Sequence, residues 1–126
     1  MTGPFWIRLG AIFAGLAVAA GAFGAHAARD RISARMLEIF ETGAHYQMVH
    51  ALALIAVGLI AMHRTSGALS VAGVSFTIGI LLFSGSLYAL ALSGVTKLGM
   101  ITPLGGVAFL VGWTALAVAT LGKVEI

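Results

Sequence analysis

Four long apolar segments divide this chain, and the polar side chains inside them crowd toward the ends that share two loops. His26 closes the first segment, and His45, Tyr46, Gln47 and His50 open the second. Ser84, Ser86 and Tyr88 close the third, and Thr102 and Pro103 open the fourth. A helix of roughly 20 residues crosses the ~30 Å hydrocarbon core of a bilayer, and each segment has about that length. Lipid offers no hydrogen-bond partner to an exposed backbone, so uninterrupted apolar segments of this kind are helices. If consecutive spans are antiparallel, the polar residues gather in one half of the membrane. That half is called side B here, and the opposite half side A.

The chain has 126 residues, one domain's worth of material. Hydrophobic residues make up 60% and charged residues only 9%, with a mean hydropathy of +1.08. Soluble domains carry about a quarter charged residues, and a small one buries only part of its surface. Such a chain is an integral membrane protein. Glycine is abundant at 17 residues against two prolines, which suits spanning helices that touch closely. Cysteine is absent, which excludes disulfides, thiolate metal sites, iron–sulfur clusters and cysteine nucleophiles. The formal charge of +3 comes from seven scattered basic residues with no interleaved aromatic run, so no nucleic-acid partner is expected. Membrane lipids are the expected partners of those charges.

The spans are placed at about 6–28, 44–62, 68–92 and 98–121. The Ala25-His26-Ala27 triplet has the form of a signal-peptidase site, but the basic region before it is thin, so the segment is read as a retained span. Between the first two spans, Ile32, Met36, Ile39 and Phe40 recur at helical spacing opposite Arg31, Arg35, Glu38 and Thr42. This pattern predicts a separate amphipathic helix in the interface over about 30–43, jointed to the second span at Gly43. Arg35 and Glu38, three apart, can pair. His63 to Gly67 forms a polar turn on side A, and Ser93 to Lys97 returns the chain on side B. The fold class is all-α, a single membrane domain forming an antiparallel four-helix bundle. Side B carries Arg29, Arg31, Arg35 and Lys97 against Arg8, Arg64 and Lys123 on side A, which turns side B toward the cytoplasm.

Small residues form stripes. Gly105, Ala108, Gly112, Ala115, Ala119 and Gly122 alternate by three and four along the fourth segment, and Gly10, Ala14, Ala17, Gly21, Gly24 and Ala28 along the first. Close backbone approach along such seams drives association in lipid. Each stripe suits either the internal bundle or a homo-oligomer or larger membrane complex.

Several motifs then fall in a familiar order. Gly21-Ala22-Phe23-Gly24-Ala25-His26-Ala27 is followed by Tyr46-Gln47-Met48-Val49-His50-Ala51-Leu52-Ala53-Leu54. Next come Phe83-Ser84-Gly85-Ser86-Leu87-Tyr88, Ile101-Thr102-Pro103-Leu104-Gly105-Gly106 and Gly112-Trp113. Across essentially the whole chain they resemble the family known as domain of unknown function 423. That family contains small bacterial inner-membrane proteins of the YgdD type and relatives of vertebrate transmembrane protein 256. The resemblance implies a four-span protein of the inner (plasma) membrane. It implies no activity, cofactor or catalytic residue.

The chemistry of the side B cluster is open between two readings. Tyr46 and His50 share a helix face with Gln47 beside them, whereas His45 lies five residues from His50, roughly 140° around the helix. Two imidazoles so placed do not face one ion, unlike those of H-E-x-x-H. A metal or haem site would need His26 from the first span to meet His45 or His50. The first reading is a structural network in which His26, His45, Tyr46, Gln47, His50, Ser84, Ser86, Tyr88 and Thr102 hydrogen-bond across helices. Within it, Ser84 and Ser86 can bond back to their own helix, and Thr102 caps the fourth helix with Pro103 in its first turn. The second reading is a pocket for a lipid or quinone-like molecule lined by the same residues. Enzyme chemistry is not expected, because no acidic residue lies within a span to orient a histidine.

Overall fold

The computed structural model describes residues 2–121. Among these residues four helices are long and apolar enough to cross a membrane: Gly3–Ala28, Ala34–Ala61, Gly67–Ser93 and Thr96–Ala119. Their ends are set by local chemistry. Helix α1 (Gly3–Phe23) starts with proline in its first turn and runs into a wider π turn at Gly24–Ala28. In α2 (Ala34–Ala61) the Ser33 hydroxyl accepts from the Met36 N–H at 3.1 Å. The Ser66 hydroxyl accepts from the Ala68 N–H at 3.2 Å to start α3 (Gly67–Gly79). A π turn at Ile80–Ser84 carries α3 into α4 (Gly85–Ser93), completing the third span. That span stops at Gly94, whose φ of 74° is the left-handed conformation favoured by glycine at a helix C-terminus. A 3-10 turn at Thr96–Met100 then leads into α5 (Thr102–Ala119).

The expected break at Gly43 is absent. The segment read as a separate interfacial helix forms the first turns of α2. At 1.5 Å per residue the 28 residues of α2 extend about 42 Å, more than a hydrocarbon core requires. Its charged first turns therefore belong in the headgroup layer without any hinge. The Arg35–Glu38 pair there is long, at 4.0 Å, and exposed, so it adds little. Gly43 instead serves packing: a Cβ at that position would stand 3.0 Å from the Tyr88 ring and 3.3 Å from Leu87.

Two close seams hold the spans together. Along the first, α1 lies antiparallel on α2: a Cβ on Gly3 would come within 2.5 Å of the Gly58 carbonyl, and one on Gly10 within 2.6 Å of the Ala51 carbonyl. Along the second, glycines seat phenylalanines between the third span and α5. Gly79 sits under Phe109, Gly112 under Phe76, and Gly105 against the backbone of Phe83. In the fourth-span stripe Gly105, Gly112 and Ala119 are buried, while Ala108 and Ala115 are half-buried. Gly122 lies outside the described residues. In the first-span stripe Gly10, Ala17, Gly24 and Ala28 are buried, with Ala14 and Gly21 half-buried.

The core gathers Trp6, Leu54, Val57, Leu69, Phe76 and Phe109. In the most apolar windows, 44% of α2 and 39% of the third span is buried, against 17% for each outer span. The second and third spans thus form the centre, and the first and last flank them. The result is an all-α, four-span membrane protein.

Candidate functional site

Among the described residues the buried polar side chains are Gln47, His50, Ser84 and Ser86. All four are hydrogen-bonded. Gln47, on α2, donates its amide N–H to the Phe13 carbonyl of α1 at 2.8 Å. Its amide oxygen accepts from the Tyr88 hydroxyl of α4 at 2.7 Å. One side chain thereby ties three spans together. The Phe13 carbonyl can take this bond beside its own helical one because it carries two lone pairs.

His50 sits deeper. It lies about 17 Å of helix from the side A end of α2, close to the middle of the span. The Trp113 indole N–H of α5 points at Nε2 of His50 from 3.0 Å. Indole only donates, so Nε2 is the unprotonated acceptor and Nδ1 carries the proton. That proton is donated to the Tyr46 carbonyl one turn back, at 2.7 Å. The neutral ring is also clamped by Phe109, stacked 3.5 Å away at 9°, and by Phe76 at 5.7 Å.

The two serines act across helices near side B. Ser84, in the π turn, donates to the Gly43 carbonyl of α2 at 2.7 Å. The absence of a side chain at Gly43 admits Tyr88, and its carbonyl receives Ser84, so this one glycine joins α2 to the third span twice over. Ser86 donates to Phe83 of its own span at 3.0 Å and lies 2.6 Å from the Thr102 hydroxyl. Because the single Ser86 proton goes to Phe83, Thr102 is the donor of that pair. Thr102 was expected to cap α5. It is instead the first residue of that helix, makes no capping bond and turns its hydroxyl to Ser86.

His26 and His45 stand apart from this arrangement. Both are exposed, and neither makes a side-chain hydrogen bond among the described residues. Among those residues no three histidine or acidic side chains come together as metal ligands. Tyr46 is 40% exposed and leans on Phe83 with ring centroids 4.6 Å apart. Three participants were missed from sequence, the Phe13 carbonyl, Trp113 and the Gly43 carbonyl, which Ser84 bonds in place of its own helix. An indole N–H deep in an apolar span needs an acceptor, which is a signal for Trp113. Nothing in a residue type points to a particular backbone carbonyl.

Beside the network, and sharing His50 and Trp113 with it, a groove of about 510 Å³ runs between α2 and α5. His45, Tyr46, His50, Phe83, Phe109 and Trp113 line it. It is mostly apolar with a few polar edges, the usual make-up of a small-molecule site.

Comparison with known proteins places this chain in a recognised group. The family described as "Protein of unknown function (DUF423)" matches residues 20–106. A UPF0382 membrane protein of Staphylococcus epidermidis is 49% identical over 116 residues, covering 92% of this chain and 94% of the relative. The UPF0382 membrane protein YwdK of Bacillus subtilis is 46% identical, covering 92% and 95%. A UPF0382 membrane protein of Haemophilus influenzae is 45% identical, covering 89% and 90%. No solved structure matches the chain. The relatives are bacterial membrane proteins by name, and four spanning helices agree with a multi-pass place in the plasma membrane. With a family match over well over half its length, the chain belongs to the DUF423 family of proteins of unknown function.

Proposed function

We propose that this protein is a non-catalytic membrane scaffold or accessory protein whose interhelical polar network fixes the positions of its spans. The observation that carries the reading is that, among the described residues, each of the four buried polar side chains is already bonded within the chain, three of them to a neighbouring span. Ser86 joins that set through Thr102. Both nitrogens of His50 are engaged by groups that fix the ring, the Tyr46 carbonyl and the Trp113 indole. The broad exposed faces of α1 and α5 contact lipid and offer surface to a second copy or another membrane protein.

The groove between α2 and α5 favours a second reading, a binder of a lipid or quinone-like molecule against Tyr46, Phe109 and Trp113. Native mass spectrometry of protein extracted gently with its own lipids separates the two. The scaffold reading expects Gln47→Leu and His50→Ala to lower heat stability, with no stoichiometric small molecule lost. A bound molecule present in the native protein and absent from Tyr46→Ala and His50→Ala would replace it with the binder.

A further inference from the structure

The groove between α2 and α5 keeps polar groups that the network does not use. It runs from His45 and Gly106 toward the middle of the membrane at Trp113, about 10 Å along α5. His50 and Trp113 contribute a wall only, because each is bonded to the other. His45 and Tyr46 are different. Both line the groove and are exposed, and among the described residues neither side chain makes a hydrogen bond. Their imidazole N–H and phenol O–H are two free donors at the side B end of an otherwise apolar surface.

The walls select what those donors can meet. The rings of Tyr46, His50 and Phe109 lie within 18° of parallel, and Phe83 and Trp113 add two more aromatic rings. A flat conjugated ring stacks favourably on such a wall. Among the described residues no lysine, arginine, aspartate or glutamate lines the groove, so a phosphate or carboxylate there would lie without a counter-charge. Gly106 leaves room, since a Cβ on it would meet nothing within 4 Å. The exposed Val107 and Leu110 of α5 continue the apolar surface toward lipid.

We propose that this groove binds the head of an isoprenoid quinone, a neutral, flat ring with two carbonyl acceptors and an apolar tail. The carbonyl nearer side B accepts from the His45 imidazole and the Tyr46 hydroxyl. The ring lies against Phe109 and Trp113, and the tail leaves over Leu110 into the bilayer. Such binding rests on the groove being a ligand site, the second of the two functional readings, and breaks none of the network's bonds.

The full-length protein in phosphatidylcholine nanodiscs is titrated with a ubiquinone carrying a single isoprenyl unit, and indole fluorescence is followed. Quinones quench indole; Trp113 lines the groove, while Trp6, the other tryptophan, is buried in the core. Saturable quenching is expected in the native chain. Tyr46→Phe and His45→Leu each remove one donor and none of the network's bonds, and each is expected to weaken binding roughly five- to tenfold. Gly106→Leu fills the groove and is expected to abolish the saturable part. Quenching that rises linearly and equally in all four proteins is partition into the bilayer alone and would overturn the proposal. Saturable binding that Tyr46→Phe and His45→Leu leave unchanged would overturn the site. Loss of the saturable part when phosphatidylglycerol replaces phosphatidylcholine would give the groove to a lipid headgroup, which overturns the quinone and leaves the binder reading standing.

Discussion

At the scale of single residues, an amide inside a bilayer has few partners, and Gln47 has found two on different helices. Membrane hydrogen bonds measured by mutation are worth about 0.6 kcal/mol on average and about 1.7 at most. Gln47→Leu, which keeps the volume and removes both bonds, is therefore expected to cost about 1–2 kcal/mol in detergent unfolding. Trp113→Phe keeps a ring against Phe76 but leaves Nε2 of His50 without its donor. A loss of about 0.5–2 kcal/mol is expected in the same assay, and little further loss when His50→Phe is added. The candidates at this scale were legible in the sequence because a polar residue in an apolar run must be bonded somewhere. Gln47, His50, Ser84, Ser86, Tyr88 and Thr102 are residues of that kind, and each makes a side-chain hydrogen bond. Where each bond goes was not legible. His26 and His45 looked equivalent to their neighbours in a linear reading, yet the turn of the helix points them outward. The partner of Gln47 is a backbone carbonyl, which has no sequence signature.

At the scale of elements, close seams dictate which glycines matter. A methyl at Gly58 would stand 2.6 Å from the Gly3 carbonyl and must lift α1 from α2. Gly58→Ala is expected to destabilise by about 1–3 kcal/mol, as overpacking does. At Gly21 and Gly106 a methyl meets nothing within 4 Å, so alanine there is expected to be neutral or slightly stabilising. Thermal midpoints of the three variants check the contrast. The four spans were readable because hydropathy and length alone decide whether a segment crosses a membrane. The continuity of α2 was not, because a glycine beside a charged stretch has the same local signature whether it bends the chain or admits a neighbouring ring. The π turn at Ile80–Ser84 was equally hidden, since no residue type marks such a turn.

At the scale of the whole molecule, side A and side B have different characters. Side B joins the spans through hydroxyls and amides, and side A gathers Arg64 and two helix starts around a cavity. The absence of cysteine makes their orientation accessible to single-cysteine labelling. Thr65→Cys is expected to react with an impermeant maleimide on intact cells, and Arg31→Cys only after permeabilisation, as the four-to-three excess of basic residues on side B predicts. The central claim is that polar side chains, bonded span to span, hold four weakly distinguished apolar helices in one arrangement. A double-mutant cycle on Gln47→Leu and Tyr88→Phe, read by reversible unfolding in bicelles, tests it most directly. The two side chains meet at 2.7 Å across α2 and α4, and the account predicts a coupling of about 0.6 kcal/mol or more. Strictly additive effects, with no coupling between the two sites, would contradict it.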